Sequence, residues 1–256
     1  MIPSAVAFGL YVFAVAGGMR LLVLGGAVQA GYLAWRGITL GRIPLVGVHD
    51  TLGFLSASLV FFTLAMRTGL LESAGPEAEA TEGRHERMSA RARTLARAVA
   101  VMCAAFTAMA MMQKPHSGFL PPVLNTYWFE LHVAMSFFSY ALFGIGAVLG
   151  VLYLRHRESA VEAAEYKAVF VGYSLFSLSM IFGGVWAHLA WGTYWLWTPK
   201  ELWTSLLWVF YSLYLHARLT SRWAGAPTAL LGVVGFVLVM FTYLGVGLLM
   251  KSSHAF

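Results

Sequence analysis

The sequence has few charged residues, and this scarcity decides its class. Of its 256 residues, 11% are Asp, Glu, Lys or Arg and 59% are hydrophobic. Soluble domains contain roughly 25% charged residues, so a water-soluble globule is excluded. A surface this poor in charge has to face lipid, because the bilayer is the common solvent as apolar as a protein core. The chain is predicted to be a polytopic membrane protein.

The sequence also lacks a cysteine pair. Its one cysteine, Cys103, lies in an apolar run, so the chain forms neither an internal disulfide nor a CxxC redox pair. Any thiol chemistry must therefore come from a partner. Long basic tracts are missing as well. The net charge of +6 is typical of membrane proteins, which collect Lys and Arg in cytoplasmic loops, so no nucleic-acid partner is expected.

The apolar runs are continuous and do not alternate in polarity, which predicts an all-α membrane fold and excludes a β-barrel. We predict about seven transmembrane helices, within a range of six to eight. The first run is the longest, so it forms one tilted helix, a kinked helix or two tight segments. The predicted spans are about 5–35, 50–66, 95–112, 130–154, 168–187, 203–217 and 227–249.

The basic residues predict an orientation. With the N-terminus in the cytoplasm, ten of the 17 Lys and Arg residues fall in cytoplasmic segments and five in outer segments, as the positive-inside rule requires. The C-terminus then lies on the outer face. The chain is predicted to be one membrane domain, 1–256, with a flexible cytoplasmic loop at about 67–94, which contains Gly, Pro, Glu and Arg.

A tryptophan-rich outer loop, at about 186–203, is the most distinctive segment. Six of the nine tryptophans lie between positions 186 and 208. An interfacial aromatic belt is one interpretation. The other is a platform for a large flat apolar ligand, which we favour because the aromatic residues fill a whole loop that contains a turn signal at Gly192 and a helix breaker at Pro199.

Three histidines are placed where they suggest metal ligation. His132 begins the fourth predicted span and His254 follows the last, both at the outer face, while His216 ends the sixth span on the cytoplasmic side. Two outer imidazoles on either side of a planar ligand would give bis-histidine coordination of haem iron. Taken singly, each is instead a candidate for an interhelical hydrogen bond. His49 is expected to cap a helix or lie at the interface, and solvated roles are expected for His85, His116 and His156.

The residues from 186 to 218 resemble the WWD haem-handling signature of cytochrome c assembly proteins of the CcsA/ResC type, whose core reads WGxYWxWDPKE. His132, His254 and His216 resemble the outer and transmembrane histidines of that family, and residues 41–54 resemble another family segment more loosely. Thr198 departs from the motif, which has Asp there, and His188 is an additional imidazole. The residues that fit the core are Trp191, Gly192, Tyr194, Trp195, Trp197, Pro199, Lys200 and Glu201.

The resemblance implies a membrane subunit of a cytochrome c haem lyase (synthase) in the bacterial inner membrane. It implies haem b as cofactor, with His132, His254 and His216 as ligands of the haem iron and the motif residues, including Thr198, as its binding loop. It also implies a CcsB/ResB-type membrane partner, an apocytochrome c with a CxxCH motif and a thiol-reducing partner. Whether this chain is itself the enzyme stays open.

Three other interpretations remain. A haem chaperone or exporter of the CcmC kind has a similar Trp motif, although the Pro199-Lys200-Glu201 continuation favours the CcsA type. A cytochrome b-like electron-transfer subunit holds each haem between its own helices, yet the sequence offers no obvious second histidine at the depth of His216. A transporter for an unrelated aromatic solute would need no histidine pair.

Overall fold

The computed structural model describes residues 2–72, 82–220 and 223–246, and within these residues helices are joined by short connections and no strand is present. This confirms the all-α prediction. Eight helices follow one another in this part of the chain. They are α1 (Ile2–Gly17), α2 (Met19–Leu40), α3 (Val48–Glu72), α4 (Glu82–Met111), α5 (Tyr127–His156), α6 (Ser159–Trp191), α7 (Pro199–Leu219) and α8 (Ala226–Met240).

Six of the described helices contain a segment long and apolar enough to cross a membrane, which confirms a polytopic membrane protein. α1 is shorter, with 16 residues. α7 covers the predicted span 203–217 but is not one of the six; its Trp, Tyr, Ser, Thr and His residues make it less apolar than they are. The six segments are Met19–Leu40, Val48–Met66, Ala90–Met111, Tyr127–His156, Ser159–Trp191 and Ala226–Gly245.

The first apolar run forms two helices, as one of the three predicted alternatives allowed. The break is at Gly18, whose φ of 77° and ψ of −154° suit glycine almost exclusively. α1 and α2 then run antiparallel and close together. A Cβ atom at Gly25 would lie 2.7 Å from the ring of Tyr11, seven residues on the other side of the break.

This hairpin changes the predicted sidedness of the chain. We call the end of the bundle that contains the α6–α7 connection the aromatic end, and the opposite end the basic end. α2 finishes at the aromatic end, where the backbone N–H of Ile43 donates to Glu130 at the start of α5. The start of α1, Ile2, therefore lies at the aromatic end too. The prediction that the first residues and the Trp-rich loop lie on opposite faces is wrong, because one predicted span is two helices.

The predicted cytoplasmic loop is shorter than expected. α3 continues to Glu72 and α4 already begins at Glu82, so both flanks of the segment 67–94 are helical. Residues 73–81 lie outside the described residues. Near the end of the chain, α8 passes at Phe241 into a single π-helical turn, Phe241–Gly245. There Tyr243 shares a 2.7 Å hydrogen bond with Thr51 of α3, so the end of α8 is fixed to α3 at the aromatic end.

α5 is the centre of the bundle and packs on α3, α6 and α8. Its packing against α6 is the closest of these, because small residues lie where the two helices meet. A Cβ atom at Gly146 would come within 2.9 Å of Val169, and one at Gly172 within 3.0 Å of Phe143. Helices in lipid associate through such close packing, since hydrophobic attraction between them is weak there.

Candidate functional site

The Trp-rich connection between α6 and α7 is short and fixed at both ends. α6 ends at Trp191 with Gly192 in the left-handed region, at a φ of 75°. α7 starts with Pro199 as its first residue, a position that Pro favours because its missing N–H is not needed there. The predicted turn at Gly192 and the predicted break at Pro199 are thus both found.

Glu201 determines the shape of this connection. Its carboxylate accepts the backbone N–H groups of Leu196, at 3.0 Å, and of Thr198, at 2.9 Å. The Thr198 hydroxyl donates to the same carboxylate at 3.1 Å and accepts the N–H of Glu201 at 3.4 Å. This is a capping box, in which two helix-end donors are satisfied reciprocally. It explains how Thr198 replaces the motif's Asp, because both residues are good N-caps.

The aromatic rings of the connection are displayed outward. Tyr194 is 61% exposed and Trp197 is 70% exposed. Trp197 has a φ of 58°, a conformation that costs a non-glycine residue about 1 kcal/mol or more. Trp195 is half-buried, and its carbonyl accepts the hydroxyl of Thr193. The connection thus keeps two large rings on its surface.

Trp186 is buried beneath these exposed rings. It is 3% exposed, and its indole N–H donates to the carbonyl of Val123 at 2.7 Å. Trp191 stands edge-on against it, with ring centroids 4.9 Å apart, and Phe129 contacts it from α5 at 5.1 Å. Trp186 therefore joins α6 to α5 and to the connection before α5, and supports the more exposed rings.

His132 lies beside Trp186. Its imidazole is nearly parallel to the Trp186 ring, at 15° and 6.2 Å, and its Nδ1 lies 2.8 Å from the backbone carbonyl of Ser179. A carbonyl can only accept, so Nδ1 carries the proton. In a neutral imidazole Nε2 then has the lone pair that binds a metal. Gly183 makes room, since a Cβ atom there would lie 2.6 Å from Nδ1.

His216 lies at the other end of the molecule and faces outward. It is exposed near the end of α7, at the basic end. The residues two positions before and after it both face α6. Tyr214 donates to Glu165 at 3.4 Å, and Arg218 pairs with Glu162 at 3.2 Å. Because positions i and i+4 share a helix face, the residue midway between them points away from α6.

The remaining predicted positions have different outcomes. His254 lies outside the described residues, so the pairing of His132 with His254 stays a prediction. Lys200 lies in the first turn of α7, where burial lowers the pKa of its ammonium group. His188 is exposed and stacks on Tyr194 at 4.4 Å. In the described part of the chain, no group of three or more His, Cys, Asp or Glu residues is arranged to hold a metal ion.

His49 and His116 take part in a polar cluster that the sequence did not indicate. Asp50 is 1% exposed and pairs with Arg36 through two hydrogen bonds, of 2.9 and 2.7 Å. It also contacts Nδ1 of His49 at 2.8 Å. Arg36 donates further to the carbonyl of His116 at 3.0 Å, which ties the connection between α4 and α5 to the bundle. His49 is therefore buried, contrary to the expected capping or interfacial role.

Comparison with known proteins agrees with this geometry. The family described as "Cytochrome C assembly protein" matches residues 50–254. The chain belongs to the cytochrome c assembly protein family. The described part of this match includes His132, the Trp-rich connection and His216.

Several relatives of the family are named "Cytochrome c biogenesis protein CcsA". The protein of Guillardia theta is 28% identical over 259 residues, covering 88% of this chain and 80% of the relative. That of Chlamydomonas reinhardtii is 36% identical over 150 residues, covering 54% of this chain and 42% of the relative. That of Prochlorococcus marinus (strain MIT 9215) is 32% identical over 177 residues, covering 55% and 57%. The predicted CcsA-type resemblance is confirmed.

Gly183 should be intolerant of a side chain. Gly183→Ala places a methyl group against the His132 imidazole, so we expect the free energy of unfolding to fall by about 1–3 kcal/mol, as for other overpacked contacts. Gly184→Ala is the matched control, since its nearest neighbour, the Tyr194 carbonyl, would be 3.6 Å away. Unfolding in SDS, followed by circular dichroism, measures both. Equal stability of the two variants would contradict the close approach.

The capping box should depend on the Thr198 hydroxyl. Thr198→Val removes the cap, and we expect a loss of about 0.5–2 kcal/mol together with a change in tryptophan fluorescence. Thr198→Ser should retain both properties. Thr204→Val is the control, because that hydroxyl donates to Lys200 inside α7 and caps nothing. If Thr198→Val left the fluorescence unchanged, the cap would not determine the shape of the connection.

Proposed function

We propose that this chain is the membrane subunit of a haem lyase, which receives haem, moves it to the outer face and presents it for attachment to the CxxCH motif of an apocytochrome c. The carrying observation is His132. Nδ1 donates its proton to the Ser179 carbonyl, which leaves Nε2 as the atom that would bind a metal; metal-binding histidines commonly donate their other ring N–H in this way. The imidazole lies at the aromatic end, against Trp186.

Haem b is the substrate that these features suit. His132 would supply one imidazole ligand to the iron, and His254, the last residue of the family match, would supply the other. Bis-imidazole ligation saturates the iron and limits its reaction with oxygen. The outward rings of Tyr194 and Trp197 provide flat apolar contacts for the porphyrin. The exposed surface beside them leaves room for an apocytochrome.

Attachment requires only an addition. Each cysteine sulfur of the apocytochrome bonds one carbon of a haem vinyl group, and the thiol hydrogen goes to the other carbon, so nothing is oxidised overall. The thiols must arrive reduced, which assigns their reduction to another protein. Cys103 does not take part, because it is fully buried and its thiol lies 3.5 Å from the carbonyl of Ser56.

The exposed position of His216 points to a partner chain. α7 turns this imidazole away from α6, so a haem bound there needs a second ligand from another polypeptide. A CcsB/ResB-type membrane subunit fills that role in the proposal. A cytochrome b-like subunit would instead enclose the ligand between its own helices. A CcmC-like haem chaperone would share the outer site but release haem to a separate carrier without attaching it.

The aromatic end is proposed to face the outside of a bacterial inner membrane. Among the described residues, the basic end has the larger share of Lys and Arg, and such residues favour the cytoplasm. Those in the half nearer the basic end are Arg20, Arg91, Arg93, Arg97, Arg155, Arg157, Lys167 and Arg218. Those near the aromatic end are Arg36, Arg42, Lys114 and Lys200.

Haem content tests the proposed site. In a complex with the CcsB/ResB-type partner, His132→Ala and His254→Ala should each lose most of the bis-histidine absorption spectrum, and added imidazole should restore it by occupying the empty position. His156→Ala, an exposed histidine at the end of α5, is the control and should keep wild-type haem. A haem-free wild-type complex, or unchanged spectra in both variants, would overturn the proposal. Haem binding without attachment to apocytochrome would favour the chaperone.

Cysteine labelling tests the orientation. In a Cys103→Ser background, Ile2→Cys and Ser117→Cys place thiols at exposed positions of the aromatic end, and Ser159→Cys places one at the basic end. A membrane-impermeant maleimide should label the first two in intact cells and the third only after permeabilisation. If the Ile2→Cys variant were labelled under the same condition as the Ser159→Cys variant, and not under that of the Ser117→Cys variant, the α1–α2 hairpin would be contradicted. Reversal of the whole pattern would contradict the assigned outer face.

A further inference from the structure

A groove opens at the aromatic end, away from His132 and the Trp-rich connection. α2 and α5 both pack on α3, and between them lies a cavity of about 700 Å³. Its wall is apolar along α2 and α3, and its rim is polar where the chain leaves α2 and enters α5. The residues used below are Leu33, Ile38, Arg42, Phe54, Tyr127 and Glu130.

Arg42 supplies a cation at this rim, with one hydrogen-bond donor left over. One of its terminal nitrogens is buried and has no hydrogen-bond partner among the described residues. The neighbouring Arg36 differs, since its guanidinium is bound to Asp50. Buried polar atoms are nearly always paired, and an unpaired one costs stability. The Arg42 guanidinium is therefore suited to an acceptor that comes from outside the chain.

Glu130 supplies an anion at the same rim. Its carboxylate accepts the N–H of Ile43, the residue after Arg42, at 3.2 Å. Burial lowers the pKa of the Arg42 guanidinium, and the carboxylates of Asp50 and Glu130 act in the opposite direction. One cation and one anion make the rim neutral overall, which disfavours a ligand with a large net charge. Haem held by two imidazoles is a poor occupant as well, because none of the lining residues is a histidine.

The depth of the groove matches the headgroup level of a bilayer. Trp35 on α2 is 58% exposed and Tyr127 at the start of α5 is 84% exposed, and such rings favour the membrane interface. Leu33 and Phe54 lie deeper than these rings, and together with Ile38 they offer an apolar surface.

We propose that this groove binds one zwitterionic phospholipid bearing a primary amine. The phosphodiester accepts hydrogen bonds from Arg42, the ammonium donates to Glu130, and an acyl chain lies on Leu33, Ile38 and Phe54. The site is separate from the proposed haem site, so it holds or fails independently of that function.

Native mass spectrometry of the purified full chain tests the site. The probes are phosphatidylethanolamine, phosphatidylcholine and phosphatidylglycerol with the same acyl chains, at equal concentration. We expect one phosphatidylethanolamine to be retained in preference to the other two. Arg42→Gln should weaken its binding at least about tenfold, the usual scale for losing a hydrogen bond between charged groups. Glu130→Gln should remove the preference for the amine lipid. Lys114→Gln, a basic residue outside the groove, is the control and should change nothing.

Other outcomes overturn the proposal. Stronger retention of phosphatidylglycerol would mean that the groove selects a net negative charge. Equal retention of all three lipids, or no effect of Arg42→Gln, would mean that lipid adheres without this site. Effective competition by soluble phosphoethanolamine would show that the apolar wall contributes nothing. Arg42→Lys keeps the charge and is expected to bind measurably, which separates loss of the site from loss of the fold.

Discussion

The close approach of α5 and α6 is the constraint on which the rest of the structure depends. Lipid gives two helices little hydrophobic reason to associate, so van der Waals contact has to hold them together. Gly146, Gly172 and Gly183 allow that contact, because a Cβ atom at any of them would lie 3.0 Å or less from the facing side chain. The same approach places His132 against the Ser179 carbonyl and the Trp186 ring, so packing and the candidate ligand geometry have one origin.

Much of the fold could be predicted from hydropathy alone, because a bilayer imposes length and composition on any helix that crosses it. The α1–α2 hairpin was harder. Its break occurs within a continuous apolar run, where the Gly17-Gly18 pair is a weak signal, and the missed reversal gave the wrong relative sidedness for Ile2. The helical flanks at Glu72 and Glu82 were also missed, since their polar residues resemble those of a loop.

The parts of the candidate site that depend on residue type and local order could be predicted from the sequence. The Trp-rich connection, Gly192, Pro199 and the position of His132 could all be predicted from the sequence. The role of the Ser179 carbonyl and the space provided by Gly183 could not, because both depend on the register of two helices separated by many residues. The cluster around Asp50 was missed for the same reason. Its partners come from α2, α3 and the connection after α4, and no local pattern joins them.

The capping box at Thr198 and Glu201 differs from these long-range contacts. Every donor to the Glu201 carboxylate lies within the five preceding residues, so the bundle around the connection contributes little to its shape. Such a segment is modular. It can be joined to helical frameworks of different size and still adopt the same bend, with its rings turned outward. The physical unit that we propose to hold a flat ligand is therefore shorter than the domain that places it in the membrane.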